Sequence, residues 1–562
     1  PMQFINTLRE EGMKRGYHVV AFSSYSNGIL DSEDTLGEEQ LYDLIEYIDF
    51  KGLVILTETL KNHKLIGKIM DVASKKNIPI FSVDGSVDGC YNMELCYTTG
   101  FEEVVSHVIE EHGCRKINMM AGFRGNEFSD SRIAVYKKVL AEYGIAFEPE
   151  RLAYGDFWER PTRAAMERFL ASGKEMPDAI VCANDAMAVT VCTILEEQGY
   201  RVPEDVIVTG FDGTLDGKHH IPSLTTCTPD YEGAAAYICD EIKRTEQTGR
   251  ICPVSRSIPF LLEKNQSCGC QEKSIQNINT VLSELSRDVG DCSWHNIAMN
   301  SMVTNFYDKT DLGELAKELP EFVRLWSDYF RFVCLKAEIF TSHRIPDSYG
   351  TMTTILRGQN DVFDAPGEIF SVREFVPRLE ELMESDGKVD TLVVRLLNSG
   401  EKVYGYIVEG VQQLNDRRLQ RCNEFAMFLA HSIDTVLRNC ELAKLNADLI
   451  KANKKIMKLS EKDPMTGLYN RRGFFLAMKR KEQQKQGQLV AYSVDMDHLK
   501  MINDTYGHAE GDFAITAVGK ALQKTAGEGL CCGRFGGDEF VCAGYEREPR
   551  SLEAFAEQLQ YH

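Results

Sequence analysis

The chain has 562 residues, of which 43% are apolar and 26% charged, and it carries a net charge of −22. That length exceeds what one hydrophobic core supports and calls for about three or four domains, which excludes a single-domain protein. The acidic balance opposes binding to phosphate backbones or anionic lipid, so neither nucleic acid nor a membrane is an expected partner.

The opening FINTLREEGMKRGYHVVAFSS reads as helix, turn and strand. The chain begins with Pro1 rather than methionine and is read as a piece of a longer protein. From residue 1 to about 270, short apolar or β-branched runs (HVVAFSS, GLVILTE, IPIFSVD, KINMMAG, DAIVCAND, DVIVTGFD) alternate with helical stretches such as FEEVVSHVIEEHG and AVYKKVLAEYG. That rhythm predicts βαβ units and parallel sheets, whose ligands sit at the carboxyl ends of the strands. Polar residues recur at those ends: Asp84, Asn184, Asp185 and Asp212. For any one of them a cap or a turn is the simpler role, but their recurrence at the same end of several strands points to a cleft.

Residues 271–440 form a second region. QEKSIQNINTVLSELSRDV has helical spacing, and TLVVRLL and VYGYIVEG flank an Asn398-Ser399-Gly400 turn, which predicts an α+β relay module. Over 441–460, Leu442, Leu445, Leu449, Ala452, Ile456 and Leu459 recur at alternating spacings of three and four. This is the a/d pattern of a coiled-coil seam; one such stripe is more often a core face, but its charged flanks and its place just before a new domain predict a parallel dimeric connector.

In the last region, 461–562, LVAYSV is a continuous apolar run that predicts a buried strand with Asp495 and Asp497 at its exit. Further on, CCGRFGGDEFVCAG places Gly536, Gly537, Asp538 and Glu539 between two apolar runs, a hairpin signature. If that hairpin meets Asp495, three carboxylates share a small volume, an arrangement that calls for hard divalent cations, Mg²⁺ or Mn²⁺.

The chain's 17 cysteines are scattered without the dense framework of a secreted disulfide scaffold, which points to a reducing compartment. No apolar run approaches the roughly 18 residues of a membrane span and no signal peptide precedes the first domain, so a cytoplasmic location is expected. The Cys268-Gly269-Cys270 and Cys531-Cys532 pairs offer thiols to a metal, but neither has a second ligand pair at zinc-site spacing.

Two resemblances are carried by these strings. CANDAMAVTVCTILEEQGYRVPEDVIVTGFDGT, followed by IPSLTTCTPD, resembles the effector-binding domain of lac-repressor-type regulators and the related periplasmic sugar-binding proteins, over nearly all of residues 1–265. It implies two α/β lobes closing on a small polar ligand, often a sugar. By position in SDSRIAVY, CANDAMA and GFDGT it assigns ligand contacts to Arg132, Asn184 and Asp212. Trp158 in GDFWERP is a candidate to stack on an apolar ligand face or to serve as a core or interface residue. No helix-turn-helix stands before this lobe in this sequence, which is read as a piece of a longer protein. The relay module resembles a GAF-type sensor.

DPMTGLYNRRGFF, DMDHLKMINDTYGHAEGD and RFGGDEF together resemble the GGDEF family of diguanylate cyclases over residues 463–545. That family joins two GTP molecules into cyclic di-GMP as a dimer. The resemblance implies Asp495, Asp538 and Glu539 at the metal and the chemistry, with Asp538 the candidate base. It implies Asn503 and Asp512 at guanine, and His498, Leu499 and Lys500 at the phosphates. The family's inhibition motif, Arg-x-x-Asp, would fall where this chain has Gly527-Glu528-Gly529-Leu530, so the usual feedback site is expected to be absent. The final strands and helix of that family's domain are expected beyond His562. The whole reads as a multidomain α/β protein: a ligand-regulated cyclase. Its alternatives are a catalytically silent receptor of the same fold and a transcription regulator lacking its DNA-binding segment.

Overall fold

The computed structural model describes residues 2–24, 37–271, 278–323, 330–342, 344–359, 362–379, 381, 391–411, 414–483 and 487–562. They divide into two compact units, Pro1–Arg438 and Asn439–His562.

The first unit begins with α1 (Met2–Met13), β1 (Val19–Phe22), β2 (Leu53–Leu56), α2 (His63–Lys76), β3 (Ile80–Val83), β4 (Tyr91–Leu95) and α3 (Tyr97–Glu110). There follow β5 (Ile117–Ala121), α4 (Glu127–Glu142), β6 (Leu152–Tyr154), α5 (Glu159–Ala171), β7 (Ala179–Cys182), α6 (Asp185–Glu197) and β8 (Ile207–Thr209). Next come α7 (Leu215–His219), β9 (Thr226–Pro229), α8 (Tyr231–Thr248), β10 (Arg256–Ile258) and β11 (Phe260–Glu263). Two all-parallel sheets result, ordered β10-β4-β3-β2 and β6-β5-β7-β8. Strands β3, β5 and β7 are buried at every position, as continuous apolar runs covered by helices on both faces require.

The rest of the unit holds α9 (Ile278–Phe306), α10 (Leu312–Val323), β12 (Phe330–Lys336), α11 (Glu338–Ser342), β13 (Thr351–Gln359), β14 (Val362–Asp364), β15 (Ile369–Ser371), β16 (Thr391–Ser399) and β17 (Lys402–Val411). Its sheet runs β1-β16-β17-β12-β13-β14, with β15 also on β13. The hairpin expected around Asn398-Ser399-Gly400 is β16–β17, paired from Thr391↔Val411 to Ser399↔Lys402. HVVAFSS forms a strand but joins this sheet rather than a parallel one: Val19–Phe22 pair in parallel with Thr391–Val394. Val20 and Phe22 then pack with Leu392, Val394 and Leu44 in the core of that layer.

Helix α12 spans Asp416–Ser460. Its first half buries Phe425, Leu429, Ile433 and Val436, whereas Leu442, Leu445 and Leu449 are exposed.

The second unit adds β18 (Tyr469–Asn470), α13 (Arg471–Glu482), β19 (Gln488–Asp495), α14 (Leu499–Tyr506), α15 (His508–Ala526), β20 (Leu530–Gly536), β21 (Glu539–Glu546) and α16 (Leu552–Tyr561). Its sheet order is β18-β20-β21-β19, and Leu468, Tyr492, Leu522, Phe540, Cys542 and Phe555 form its core. The run LVAYSV was expected to be buried on both faces, and the structure corrects this. Among the described residues β19 is an edge strand, with Tyr492 buried and Leu489, Ala491 and Ser493 exposed. Alternation of side chains across the pleat turns half of an apolar run outward wherever only one face is covered. No helix among the described residues is long and apolar enough to cross a membrane.

Candidate functional site

In the second unit, β19 and β21 are antiparallel in a register that sets Asp495 opposite Glu539. Directly opposed residues hold their Cβ atoms about 5 Å apart, within reach of a shared ion for two carboxylates. Strand β20 returns to β21 through Gly537 and Asp538, with an irregularity between Arg534 and Gly536. Gly537 has φ +44°, the left-handed conformation that side chains resist, so the turn needs glycine at this point. Asp495 and Glu539 are exposed and Asp538 half-buried. Asp495 and Glu539 thus stand opposite each other at one end of the sheet, with Asp538 in the adjoining turn; the three carboxylates are not drawn into one close cluster in this structure.

Arg534 holds the turn. Its Nε and Nη2 donate to the Gly537 carbonyl at 2.9 and 2.7 Å, while Nη1 lies 3.5 Å from Asp463 Oδ1. Asp463 in turn accepts from the Thr466 amide and hydroxyl at 2.8 and 2.7 Å. Burial would raise that carboxyl, but these hydrogen bonds and the Arg534 charge outweigh it and hold its pKa below the usual carboxylate value. Sequence reasoning named neither residue, although both lie inside the strings it singled out.

The strand-to-helix turn after Asp495 contains His498 at φ +62°, and α14 starts at Leu499. Its first-turn amides have no intrahelical acceptors and so remain available to an anion. His498 and Lys500 are exposed here, and Leu499 is half-buried. Asn503 lies in the second turn of α14, where its carbonyl accepts from the Gly507 amide that ends the helix, and Asp512 lies in the first turns of α15, across the Gly507 corner. A Cβ on Gly511 would come within 1.9 Å of Asn503 Oδ1, so only glycine lets these two helices approach with Asn503 in place.

In the first unit, Arg132 and Asn184, two of the residues singled out in the sequence, lie against Phe157, and Trp158 follows it in the chain. Arg132 is positioned by α4, whose start is capped by Asn126 accepting from the Ser129 amide at 3.1 Å. Arg132 is 4% exposed, and its guanidinium lies 4.6 Å from the Phe211 ring, 5.4 Å from Tyr97 and 6.0 Å from Phe157. Asp212 Oδ1 is 3.8 Å from Arg132 Nη2. Burial pushes the Asp212 carboxyl up to about 7, with the Arg132 charge opposing the rise and the Asp185 and Asp84 charges adding to it. Tyr97 donates to Asp84 at 2.6 Å, which brings the end of β3 to the same place.

Asn184 has a structural role: its Oδ1 caps α6 by accepting from the Met187 amide at 2.9 Å, and its Nδ2 donates to the Phe157 carbonyl at 3.2 Å. Trp158 begins α5 and is 66% exposed, which removes the core alternative. Asp84, Asp156, Phe157 and Asp212 all have positive φ. Such conformations persist only where the surroundings impose them, and they cluster at binding sites. Tyr97 and Phe157, which stand beside Arg132, were not singled out in the sequence; for Phe157 the visible signal was the aromatic pair in GDFWERP. A cavity of about 700 Å³ lies elsewhere, lined by Arg124, Arg151, Tyr154 and Arg168, and it includes none of the four proposed sensor residues.

Comparison with known proteins assigns both ends of the chain. Residues 105–257 match the family model described as periplasmic binding protein-like domain, and residues 460–561 match that of the diguanylate cyclase, GGDEF domain. The HTH-type transcriptional repressor PurR of Erwinia tasmaniensis is 26% identical over 229 residues, 40% of this chain and 63% of its own length. The HTH-type transcriptional regulator GalR of Streptococcus thermophilus is 30% identical over 141 residues, 24% of this chain and 42% of its own. The chain thus spans less than two thirds of these relatives. Among solved structures, a LacI family transcriptional regulator from Enterococcus faecium with bound ribose is 18% identical, covers 48% of this chain and 94% of its own, and has a TM-score of 0.37. The chain therefore joins a periplasmic-binding-protein-like domain of the LacI type to a GGDEF domain at its C-terminal end.

Proposed function

We propose that this protein is a diguanylate cyclase regulated by a small polar, sugar-like ligand and located in the cytoplasm. The observation that carries the reading is the register of β19 and β21, which sets Asp495 against Glu539 beside the Gly537-Asp538 turn. Three oxygen donors at one sheet end suit a hard divalent cation, and Asp495, Asp538 and Glu539 would hold Mg²⁺ or Mn²⁺ there. When bound, the ion neutralises charge on the phosphates and activates the hydroxyl nucleophile.

The chain's own groups account for the remaining steps. The Asp512 carboxylate accepts from guanine N1–H and its 2-amino group, while the Asn503 amide pairs with a donor and an acceptor. Amides at His498 and Leu499, with the Lys500 ammonium, orient the triphosphate. The 3′-oxygen of one GTP attacks the α-phosphorus of the other, its proton passes to the Asp538 carboxylate, and pyrophosphate leaves in line. A second, reciprocal attack closes the ring and releases the second pyrophosphate.

Each protomer holds one GTP, so turnover requires a dimer. The exposed Leu442, Leu445 and Leu449 stripe on α12 supports a parallel seam over 441–460. Residues 1–270 serve as the sensor, in which Arg132 and Asp212 grip vicinal hydroxyls of a sugar by paired charge-assisted hydrogen bonds and Trp158 borders the ligand. Residues 271–440 act as the relay and 461–562 as the cyclase. Formation of cyclic di-GMP from GTP and Mg²⁺, compared with an Asp538→Ala variant, tests the reading. Product from the parent and none from the variant supports it. Product from both would remove Asp538 from the chemistry.

A further inference from the structure

At the far end of α3 from the cleft, four metal-ligating side chains meet although the sequence separates them widely. His107 lies in the last turn of α3 and His112 just beyond it; Cys268 and Cys270 come from the turn that follows β11. His107 Nε2 is 3.4 Å from Cys268 Sγ and 3.8 Å from Cys270 Sγ, and His112 Nε2 is 3.4 Å from Cys270 Sγ. All four donor atoms lie within 4.8 Å of one another, the one such His, Cys or acidic group among the described residues.

Metal–sulfur bonds of about 2.3 Å and metal–nitrogen bonds of about 2.0–2.1 Å at tetrahedral angles place sulfur and nitrogen about 3.6 Å apart, so the three distances bracket that of a filled site. Both imidazoles present Nε2. The other nitrogen of His107, Nδ1, faces Glu111 Oε2 at 3.5 Å, and Glu111 is held by Lys264. A carboxylate behind a ligating histidine fixes ring orientation and raises its basicity, the usual support around bound metal. Gly269 has φ +87°, which lets a spacer of one residue turn both thiols to the same side.

We propose that His107, His112, Cys268 and Cys270 form a structural zinc site that ties the end of the two-lobed sensor to α3. Two thiolates and two imidazoles select Zn²⁺ over the hard cations suited to the carboxylate site. Four protein ligands leave no open position, so the ion's role is structural. His107 and Cys268 are buried, while Cys270 is exposed and immediately precedes the segment leading to α9. The same helix carries Tyr97 of the cleft about 15 Å away along its axis. The ion therefore anchors a helix that reaches the cleft to the point where the chain leaves the sensor.

The intact protein, purified under reducing conditions without chelator, is expected to hold one Zn²⁺ per chain by elemental analysis. Co²⁺ exchanged into it should give the visible absorption of a tetrahedral thiolate site. Cys270→Ser and His112→Ala, at the less buried ligands, should fold and lose most of the metal. Cys252→Ser, at an exposed cysteine outside the cluster, should retain it. Removing zinc from the parent should lower the melting temperature of the sensor by several degrees and leave that of Cys270→Ser unchanged. No zinc in the parent even after incubation with equimolar Zn²⁺, undiminished zinc in both ligand variants, or a Cys268–Cys270 disulfide in the reduced protein would overturn the proposal.

Discussion

The Arg132 site of the periplasmic-binding-protein-like domain and the Gly-Gly turn of the GGDEF domain pose the same problem, placing charged groups near one another, and solve it differently. At the turn, Asp495 and Glu539, from two separate strings, stand opposite each other because a strand and a hairpin share a register, and both are exposed. In the cleft, the cation comes first: Arg132 is buried among three aromatic rings, with Asp212 and Asp84 arriving from the ends of different strands. An exposed acidic site costs little folding stability and waits for a cation. A buried arginine depends on the whole fold around it. Substitutions should therefore separate activity from stability at the turn and couple binding to stability in the cleft.

The largest effect should come from Asp495→Asn. Loss of a carboxylate at the proposed ion should reduce the rate of cyclic di-GMP formation by about 100-fold or more while leaving the melting temperature of the second unit unchanged. A matching loss of stability would erase the contrast. In the cleft, Arg132→Met should weaken binding of whichever pentose, hexose or disaccharide binds the parent in calorimetry by about 10- to 100-fold, the worth of hydrogen bonds to a charged donor. Basal cyclase rate should be unaffected.

A pH series sharpens the same contrast. Asp185 is fully buried, and burial raises its carboxyl to about 6 from an ordinary 3.8, despite hydrogen bonds from the Thr214 amide and Thr226 hydroxyl. The folded state thus holds the proton more tightly than the unfolded state. The resulting stability is full below about pH 4, is lost as pH rises to about 6 and is absent above, a change of roughly 3 kcal/mol. Denaturation of the parent against Asp185→Asn from pH 4 to 7 should show this difference in slope. At the turn, Arg534→Ala should cost about 1–2 kcal/mol by removing both hydrogen bonds to Gly537 and the contact with Asp463, read as a lower denaturation midpoint of the second unit. The smallest change in stability, within about 0.5 kcal/mol, is expected for Leu445→Ser because the side chain is exposed. Sedimentation should nevertheless show fewer dimers, and an unchanged dimer would remove the seam.

What the sequence disclosed follows from how local each feature is. The alternation of HVVAFSS-like strands and helices was legible because periodicity is written residue by residue, and the GGDEF turn because hairpin register follows from its own glycines. The pairing of β1 with β16 was not, since a four-residue strand carries no mark of its partner. Nor was the exposure of Leu489 and Ala491, which depends on what covers the sheet. His107 and His112 sat in view within FEEVVSHVIEEHG, read there as a helix face, while the absence of a nearby second pair argued against metal at Cys268 and Cys270. Folding supplied the missing pair from another element.

The measurement that bears most directly on the cyclase reading is chromatography of nucleotides after incubating the intact protein with GTP and Mg²⁺, with GTP binding measured on the same sample. Cyclic di-GMP and pyrophosphate in a one-to-two ratio, absent when Mg²⁺ is omitted, is the predicted result. Bound GTP with no product across protein concentrations that span dimer formation would contradict it and leave a receptor built on the cyclase fold.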